Sequence, residues 1–160
     1  MIESHPLRQV LAKFLTGVTV VTTNGPDGAV GVTVNSFASV SLDPALVLVC
    51  LKQTSGVGVE FAEAKCFAVN ILSEHQELVS RKLSRSTEKF LDEVSYRHGD
   101  TGAPLLTEAL AYVDCELYER IDAGDHVIVI GRVRDFKVQR DDARPLVFYG
   151  GRYLNLSFSG

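Results

Sequence analysis

Short β-strand patterns cover most of this chain and are separated by turn-forming residues. Apolar and β-branched residues either alternate with polar ones or form continuous runs, and Asn24–Gly28 is the strongest turn between them. Alternation indicates a strand with one buried face, whereas a continuous apolar run indicates one buried on both faces. The pattern predicts strands over 18–23, 29–35 with the polar run 33–42, 45–51, 66–72, 110–121, 126–138, 146–149 and 153–156.

Three short helices are predicted beside these strands. Apolar residues recur every three to four positions over 7–14, and Gly17 is expected to end that helix. A second helix is predicted over 57–64. Ser73 and Gln76 have the spacing of a capping box, which predicts a third helix over 74–83. The polar segment 84–104 is predicted to be irregular, and 122–125 to be a turn.

Strands joined by hairpin turns predict a mainly β fold. Closing an antiparallel sheet into a barrel removes exposed edges, so we expect an antiparallel barrel with a few peripheral helices. A length of 160 residues and an apolar content of 46% are typical of one globular domain, here 1–160.

Charge and hydropathy exclude several classes of partner. The net charge is −4, and acidic and basic residues are interspersed, so no basic face for nucleic acid is expected. No apolar run approaches the roughly 18–20 residues that cross a bilayer, so no membrane partner is expected. The start of the chain lacks the apolar core of a secretion signal, so we expect the protein to remain in the cytoplasm.

The three cysteines are Cys50, Cys66 and Cys115. Their number is odd, their spacing is wide and no CxxC pair exists, so neither a disulfide framework nor a metal site is expected. Cys50 and Cys66 lie in apolar strand patterns, where buried and inert thiols are common. A reducing cytoplasm suits this arrangement.

The run 33–42 is unusual for a strand because it carries five small polar side chains. A buried strand excludes such groups unless each has a hydrogen-bond partner. A flat ligand with polar edges, such as an isoalloxazine ring, would supply partners along the strand. The structural alternative is a solvated edge strand.

The loop Lys52–Gly56 lies between a buried strand and a predicted helix. Hydroxyl groups and backbone amides at a helix start can bind an anion such as a phosphate. Alternatively, Thr54 or Ser55 caps the helix. A locally basic run from Arg81 to Lys89 could meet a phosphate or form a solvated helix face.

Two further motifs combine glycine with residues that carry chemistry. Gly124-Asp125-His126 places a histidine at the start of a strand, where it could act on a ligand or make a structural hydrogen bond. In Tyr149–Tyr153, two glycines allow close approach of a ligand, aromatic rings can stack, and Arg152 can meet a phosphate or carboxylate. The structural alternative for the second motif is a glycine bulge. Neither a GxGxxG loop between a strand and a helix nor a phosphate-binding P-loop is present, so a Rossmann-type site is not expected.

Five segments in series resemble the flavin reductase-like family of split β-barrels. They are FLTGVTVVTT at 14–23, GVTVNSFASVSLDPALVLVCL at 31–51, FAVNIL at 67–72, GDHVIVIGRV at 124–133 and PLVFYGGRYLNL at 145–156. The resemblance implies an antiparallel split β-barrel of Greek-key type, generally assembled as a homodimer with flavin sites near the subunit interface.

The resemblance also implies the site residues. It places His126 on the nicotinamide side of a bound flavin, as the catalytic residue that orients the carboxamide or stabilises charge near the ring. It implies cofactor contacts by Thr33, Val34, Asn35, Ser36, Phe37, Ser39, Val40, Ser41, Cys50, Lys52, Thr54, Ser55, Ser86, Lys89, Phe90, Tyr149, Gly150, Gly151 and Arg152.

The implied activity is hydride transfer from NADH or NADPH to FMN or FAD, with reduced flavin diffusing to a separate monooxygenase. Two alternatives stay open at this point: a split-barrel flavoprotein that retains its FMN, as an oxidase or in electron transfer, and a non-enzymatic flavin-binding barrel. The residues do not distinguish FMN from FAD, or NADH from NADPH.

Overall fold

The structure is a computed structural model that describes residues 3–85 and 87–157. The helices are α1 (Ser4–Leu11), α2 (Gly56–Glu63) and α3 (Glu77–Leu83), the last preceded by a 3-10 turn over Glu74–Gln76. The strands are β1 (Thr16–Gly17), β2 (Thr19–Gly25), β3 (Gly28–Val34), β4 (Ala38–Leu42), β5 (Ala45–Lys52), β6 (Cys66–Ile71), β7 (Tyr96–His98), β8 (Pro104–Leu106), β9 (Ala111–Ala123), β10 (His126–Val138), β11 (Val147–Tyr149) and β12 (Arg152–Leu154).

Seven of these strands form one antiparallel sheet, in the order β3-β2-β6-β9-β10-β5-β4. Register shifts between Ile130 and Gly131, and between Val133 and Asp135, interrupt the long β9–β10 pairing. Bulges of this kind bend and twist a strand, which helps the sheet to curl. The predicted antiparallel split barrel with peripheral helices is therefore confirmed.

The barrel closes through a side chain instead of a complete strand ladder. Ser36 Oγ donates to the carbonyl of Cys50 and accepts from its amide, both at 3.0 Å, and so joins the segment after β3 to β5. Full closure was expected to remove exposed edges. Instead, β4 remains an edge strand, paired only with β5 in the described sheet.

Apolar side chains from both halves of the sheet fill the barrel. Phe67 is fully buried and meets Phe61 of α2 edge-to-face, with ring centroids 6.2 Å apart. Gly131 of β10 lies against Phe67 and Cys115: a Cβ built there would lie 2.5 Å from Phe67 Cζ and 2.7 Å from Cys115 Cβ. The core therefore requires glycine at this position.

Several predicted boundaries are wrong, although most elements are confirmed. The 33–42 run is not one strand, because β3 ends at Val34 and residues 35–37 separate it from β4. The first helix ends at Leu11, not Gly17, and residues 16–17 pair with β11. The segment 84–104 contains β7 and leads into β8, and β9 continues through 122–123, which leaves a tighter turn before β10. Cys50 and Cys66 are half-buried instead of fully buried, whereas Cys115 is buried.

Candidate functional site

A cleft of about 380 Å³ lies where the ends of several elements meet. Its walls come from the end of β3, the end of β5, the start of α2, the residues around the end of α3, and the first residue of β10. Its lining residues are Val32, Thr33, Val34, Asn35, Ser36, Cys50, Leu51, Lys52, Thr54, Ser55, Gly56, Val57, Leu83, Ser84, Arg85 and His126. Nine predicted site residues therefore share one cleft: Thr33, Val34, Asn35, Ser36, Cys50, Lys52, Thr54, Ser55 and His126.

One wall is the end of β3 and the bend that follows it. Thr33 Oγ1 donates to the Ser80 carbonyl at 2.8 Å, and Ser36 Oγ is bonded to the backbone of Cys50. These hydroxyl groups therefore shape the wall. Within the described residues, the backbone amides of 35–37 donate to no other group. The polar groups that this wall offers to a ligand thus include the backbone amides of Asn35 and Ser36 and the exposed side-chain amide of Asn35.

The second wall is the loop that starts α2. Ser55 caps this helix: its Oγ accepts from the Gly58 amide at 2.9 Å and donates to the Lys52 carbonyl at 2.8 Å. A Cβ at Gly58 would lie 2.7 Å from that same carbonyl, so glycine allows the helix to sit close to the loop. Gly56 and Val57 line the cleft as the first helical residues, whose amides have no partner within the helix. The helix start thus presents backbone donors to an anion.

Arg120 of β9 fixes the opposite end of α2. Its Nε donates to the Phe61 carbonyl at 3.0 Å, and its Nη2 donates to the Ala64 carbonyl at 2.6 Å. Burial lowers the pKa of this guanidinium. Because a positive charge meets the carbonyl end of the helix, the arrangement stabilises α2 and keeps its amide end directed at the cleft.

One cation lines the cleft and another lies near the start of α2. Arg85 lines the cleft, and its Nη1 is 2.9 Å from Glu88 Oε1. Lys89 Nζ is 2.7 Å from Glu60 Oε1 and 3.5 Å from the Gly56 carbonyl. Each cation is balanced by a carboxylate, so the local field depends on two ion pairs in addition to the helix end.

His126 enters the cleft from the first position of β10. Gly124 has a φ of +67°, which permits the tight turn before it. In the sheet, His126 lies opposite Lys52 of β5. Its Nδ1 is 2.7 Å from Asp125 Oδ1, and this hydrogen bond is the main cause of the lowered pKa of Asp125.

A second cleft of about 180 Å³ shares Thr33, Val34, Asn35 and Ser84 with the first. Phe148 and Tyr153 line it. These two rings face each other across the β11–β12 hairpin, with centroids 5.3 Å apart. The stem of this hairpin, rather than its tip, therefore reaches the site.

The glycine pair at the tip of that hairpin has a clear structural role. Gly150 and Gly151 have φ values of +59° and +81°, the backbone signature of a tight two-residue hairpin turn. The structure does not place Tyr149, Gly150, Gly151 or Arg152 in the lining of either cleft.

Other predicted residues lie apart from the main cleft. Ser39, Val40 and Ser41 lie on the edge strand β4, and their contact with a cofactor stays a prediction. Phe37 lines a separate cleft of about 290 Å³, and Phe90 forms a β-bridge with Val30 and packs against the barrel core. Ser86 lies outside the described residues.

Sequence reasoning missed several residues that the structure places at the site. The residues that were not among the predicted contacts are Val32, Leu51, Val57, Leu83, Ser84 and Phe148. Tyr153 was noted only as an aromatic ring that can stack beside the glycine pair. Arg85 was noted only as part of a basic run. The predicted end of the third helix at residue 83 was a useful signal, because Leu83, Ser84 and Arg85 line the cleft.

The described residues hold no group of three or more side chains suited to a metal ion. Among the same residues, none of the helices has the length and apolar character needed to cross a membrane.

Comparison with known proteins identifies the family. A sequence model of the flavin reductase like domain matches residues 11–157. The chain belongs to this family. It is 41% identical, over 97% of its length and 87% of the relative's, to FMN reductase (NADH) SmoA of Agrobacterium fabrum. It is 38% identical, over 97% of its length and 79% of the relative's, to the monooxygenase reductase subunit HsaB of Rhodococcus jostii.

Solved structures of the family have the same fold. Flavin reductase PheA2 superposes with a TM-score of 0.89 at 36% identity, covering 98% of this chain and all of that one. Streptomyces globisporus NADH:FAD oxidoreductase SgcE6, in complex with NAD and FAD fragments, superposes with a TM-score of 0.88 at 34% identity, covering 96% of this chain and 92% of that one. Some relatives are longer: the chain is 46% identical over 81% of its length to a trigonelline monooxygenase reductase component of Acinetobacter baylyi, but spans 42% of it.

The main cleft fits a flavin mononucleotide moiety. Its volume lies within the roughly 300–1,000 Å³ that small-ligand sites occupy. The amides of Asn35 and Ser36 suit the carbonyl and nitrogen edge of an isoalloxazine ring, and the start of α2 suits a phosphate. The cleft therefore supplies donors at both ends of such a ligand.

Proposed function

We propose that this protein uses NADH or NADPH to reduce FMN or FAD and releases the reduced flavin to a separate monooxygenase. The observation that carries the proposal is the convergence of three elements on one cleft: the bend after β3, the amide end of α2, and His126. Relatives described as an NADH-dependent FMN reductase and as a monooxygenase reductase subunit support the same activity. They favour it over a barrel that retains its flavin and over a non-enzymatic binder.

In this proposal, the flavin ring lies along the wall formed by residues 33–36, and its phosphate lies at the amides of Gly56 and Val57. Thr54 and Arg85 line the same cleft and contribute polar contacts to the ligand. Lys89 does not line the cleft, but it contributes positive charge near the start of α2, where it forms an ion pair with Glu60.

His126 then orients the nicotinamide. When both cofactors are bound, they supply the redox chemistry, in which hydride passes from the nicotinamide to flavin N5. The protein therefore needs no acid or base at the reacting carbon. It needs a group that fixes the carboxamide, and the His126 Nε2 edge is suited to that role. Phe148 and Tyr153 give the adjoining cleft an apolar wall against which the nicotinamide packs.

We propose that the protein is a homodimer. The apolar face of α1 is exposed: Val10 is 69% and Leu11 is 62% accessible, and Phe14 just beyond the helix is 78% accessible. An amphipathic helix is stable when its apolar stripe is covered, and a second copy would cover it. Val10→Glu should shift sedimentation to the monomer, whereas Leu78→Glu on exposed α3 should not. A flavin-competent wild-type monomer at micromolar concentration would contradict this proposal.

The remaining proposals concern domain organisation, cellular location and the class of ligand. That 1–160 acts as a single domain stays a prediction. A cytoplasmic location is supported by the three cysteines, which are free among the described residues. The interspersed charge and net charge of −4 favour small-molecule ligands over nucleic acid.

The experiment that tests the proposed function is steady-state oxidation of NADH and of NADPH with added FMN, FAD or riboflavin. We expect turnover that depends on added flavin and saturates with it. A tightly retained flavin that is reduced without release would favour the flavoprotein alternative. The absence of nicotinamide oxidation with every flavin would favour the non-enzymatic one.

A further inference from the structure

The side chain of Asp125 contacts the imidazole of the proposed nicotinamide-binding residue. Asp125 Oδ1 lies 2.7 Å from His126 Nδ1. The Asp125 side chain is otherwise 81% exposed, so it fills no space in the core. The proposed function assigns it no role.

This hydrogen bond determines which imidazole nitrogen carries the proton. A carboxylate can only accept, and the lowered pKa of Asp125 keeps it ionised. Nδ1 must therefore donate, and in the neutral imidazole Nε2 is left with a lone pair. No partner for Nε2 is found among the described residues. As long as the ring is neutral, the free edge of His126 is therefore a hydrogen-bond acceptor.

The backbone of this turn is held independently of the Asp125 carboxylate. The Gln53 amide donates to the Asp125 carbonyl at 3.1 Å. The Gln53 side-chain amide donates to the His126 carbonyl at 3.4 Å and to Asp122 Oδ1 at 3.3 Å. Removing the Asp125 side chain should therefore leave the turn in place while releasing the imidazole.

We propose that Asp125 is a positioning residue that fixes His126 with an accepting Nε2, so that the site selects the amide NH₂ of nicotinamide. The proposal rests on the proposed function, in which His126 meets the carboxamide. A carboxamide offers both a carbonyl acceptor and an NH₂ donor, and an accepting Nε2 can bond only the donor. Asp125 would thus contribute to specificity without touching the cofactor.

The test compares NADH with reduced 3-acetylpyridine adenine dinucleotide, whose methyl ketone keeps the carbonyl but lacks the NH₂ donor. Their kcat/KM ratio is measured in wild type and in Asp125→Ala, Asp125→Asn and Asp122→Ala, at mildly alkaline pH. Asparagine keeps an oxygen that accepts from Nδ1–H, so it should rescue the ratio. Asp122→Ala removes a nearby carboxylate and its hydrogen bond from Gln53, but no contact with the imidazole, so it controls both for local charge and for weakened support of the turn.

We expect the preference for NADH to fall about tenfold in Asp125→Ala, the size of one lost oriented hydrogen bond, and to stay near wild type in the other two variants. An unchanged preference in Asp125→Ala, or an equal loss in Asp122→Ala, would overturn the proposal. His126→Ala distinguishes a failure of the proposed role of His126 from a failure of the positioning role of Asp125. If it changes neither the KM for NADH nor the rate of flavin reduction, the proposed role of His126 fails. If it changes either one while Asp125→Ala keeps the preference, only the positioning role fails.

Discussion

A single negative charge at the start of α2 should separate phosphate binding from ring binding. Ser55→Asp places a carboxylate at the helix cap, beside the amides proposed to hold the flavin phosphate. Aspartate caps helices as well as serine does, and a negative charge suits the amide end of a helix. The variant should therefore fold with an unchanged melting temperature, although it loses the hydrogen bond to the Lys52 carbonyl.

The size of the effect follows from the geometry. A phosphate bonded to the Gly56 and Val57 amides would lie roughly 4–6 Å from the new carboxylate, given hydrogen bonds of about 2.9 Å. Unit charges about 4 Å apart repel by about 1 kcal/mol in water and about 4 kcal/mol near a protein surface. Ser55 is half-buried in an open cleft. We therefore expect FMN to lose about 1–3 kcal/mol of binding free energy, or about 5- to 150-fold in affinity.

The assay is fluorescence titration with FMN and with riboflavin, which lacks the phosphate. FMN affinity should fall in Ser55→Asp, riboflavin affinity should not, and added salt should reduce the difference. Ser55→Asn keeps a capping oxygen without the charge and serves as the matched control. Equal losses for both flavins would mean that the variant damages the cleft in general. Unchanged FMN affinity would remove the phosphate from the start of α2.

Three further predictions concern the core and the proposed catalytic residue. Gly131→Ala should lower the unfolding free energy by about 1–3 kcal/mol in denaturant titrations, because its methyl group would overlap Phe67 and Cys115; a neutral effect would contradict the tight packing. His126→Ala should raise the KM for NADH or lower the rate of flavin reduction about tenfold without changing the melting temperature, and a purely destabilising effect would favour a structural histidine. Burial raises the pKa of the Cys115 thiol from 9.0 to about 12, so the contribution of this thiol to the free energy of unfolding is complete below about pH 9 and is lost as pH rises towards 12. Alkylation of the native protein at neutral pH, followed by mass spectrometry, should leave this thiol unmodified, and rapid labelling of the native protein would contradict its burial.

Strand patterns predicted most of the barrel because its strands carry strong local signals. The Ser73–Gln76 capping box and the β2–β3 hairpin are confirmed for the same reason. The break after Val34 was not predictable in this way, since the polar run 33–42 keeps its strand composition across the bend. Pairing with β5 places the second half of that run at the edge of the sheet, and this pairing is a long-range property.

The convergence of the site also depends on long-range pairing. Lys52 and His126 are 74 positions apart in sequence, but they are directly opposite each other because β10 pairs with β5. The resemblance to the family predicted, without any geometry, that both segments belong to one flavin site. Its implied contacts at this hairpin were the tip residues 149–152, whereas Phe148 and Tyr153 of the stem line the second cleft.

Anaerobic mixing of the protein with free flavin and NADH tests the central claim most directly. The loss of oxidised-flavin absorbance is followed with and without protein, at increasing concentrations of each cofactor. We predict protein-dependent bleaching that saturates in both flavin and NADH, with the reduced flavin recovered in the filtrate of a membrane that retains the protein. Bleaching no faster than in the protein-free mixture would contradict the proposed activity.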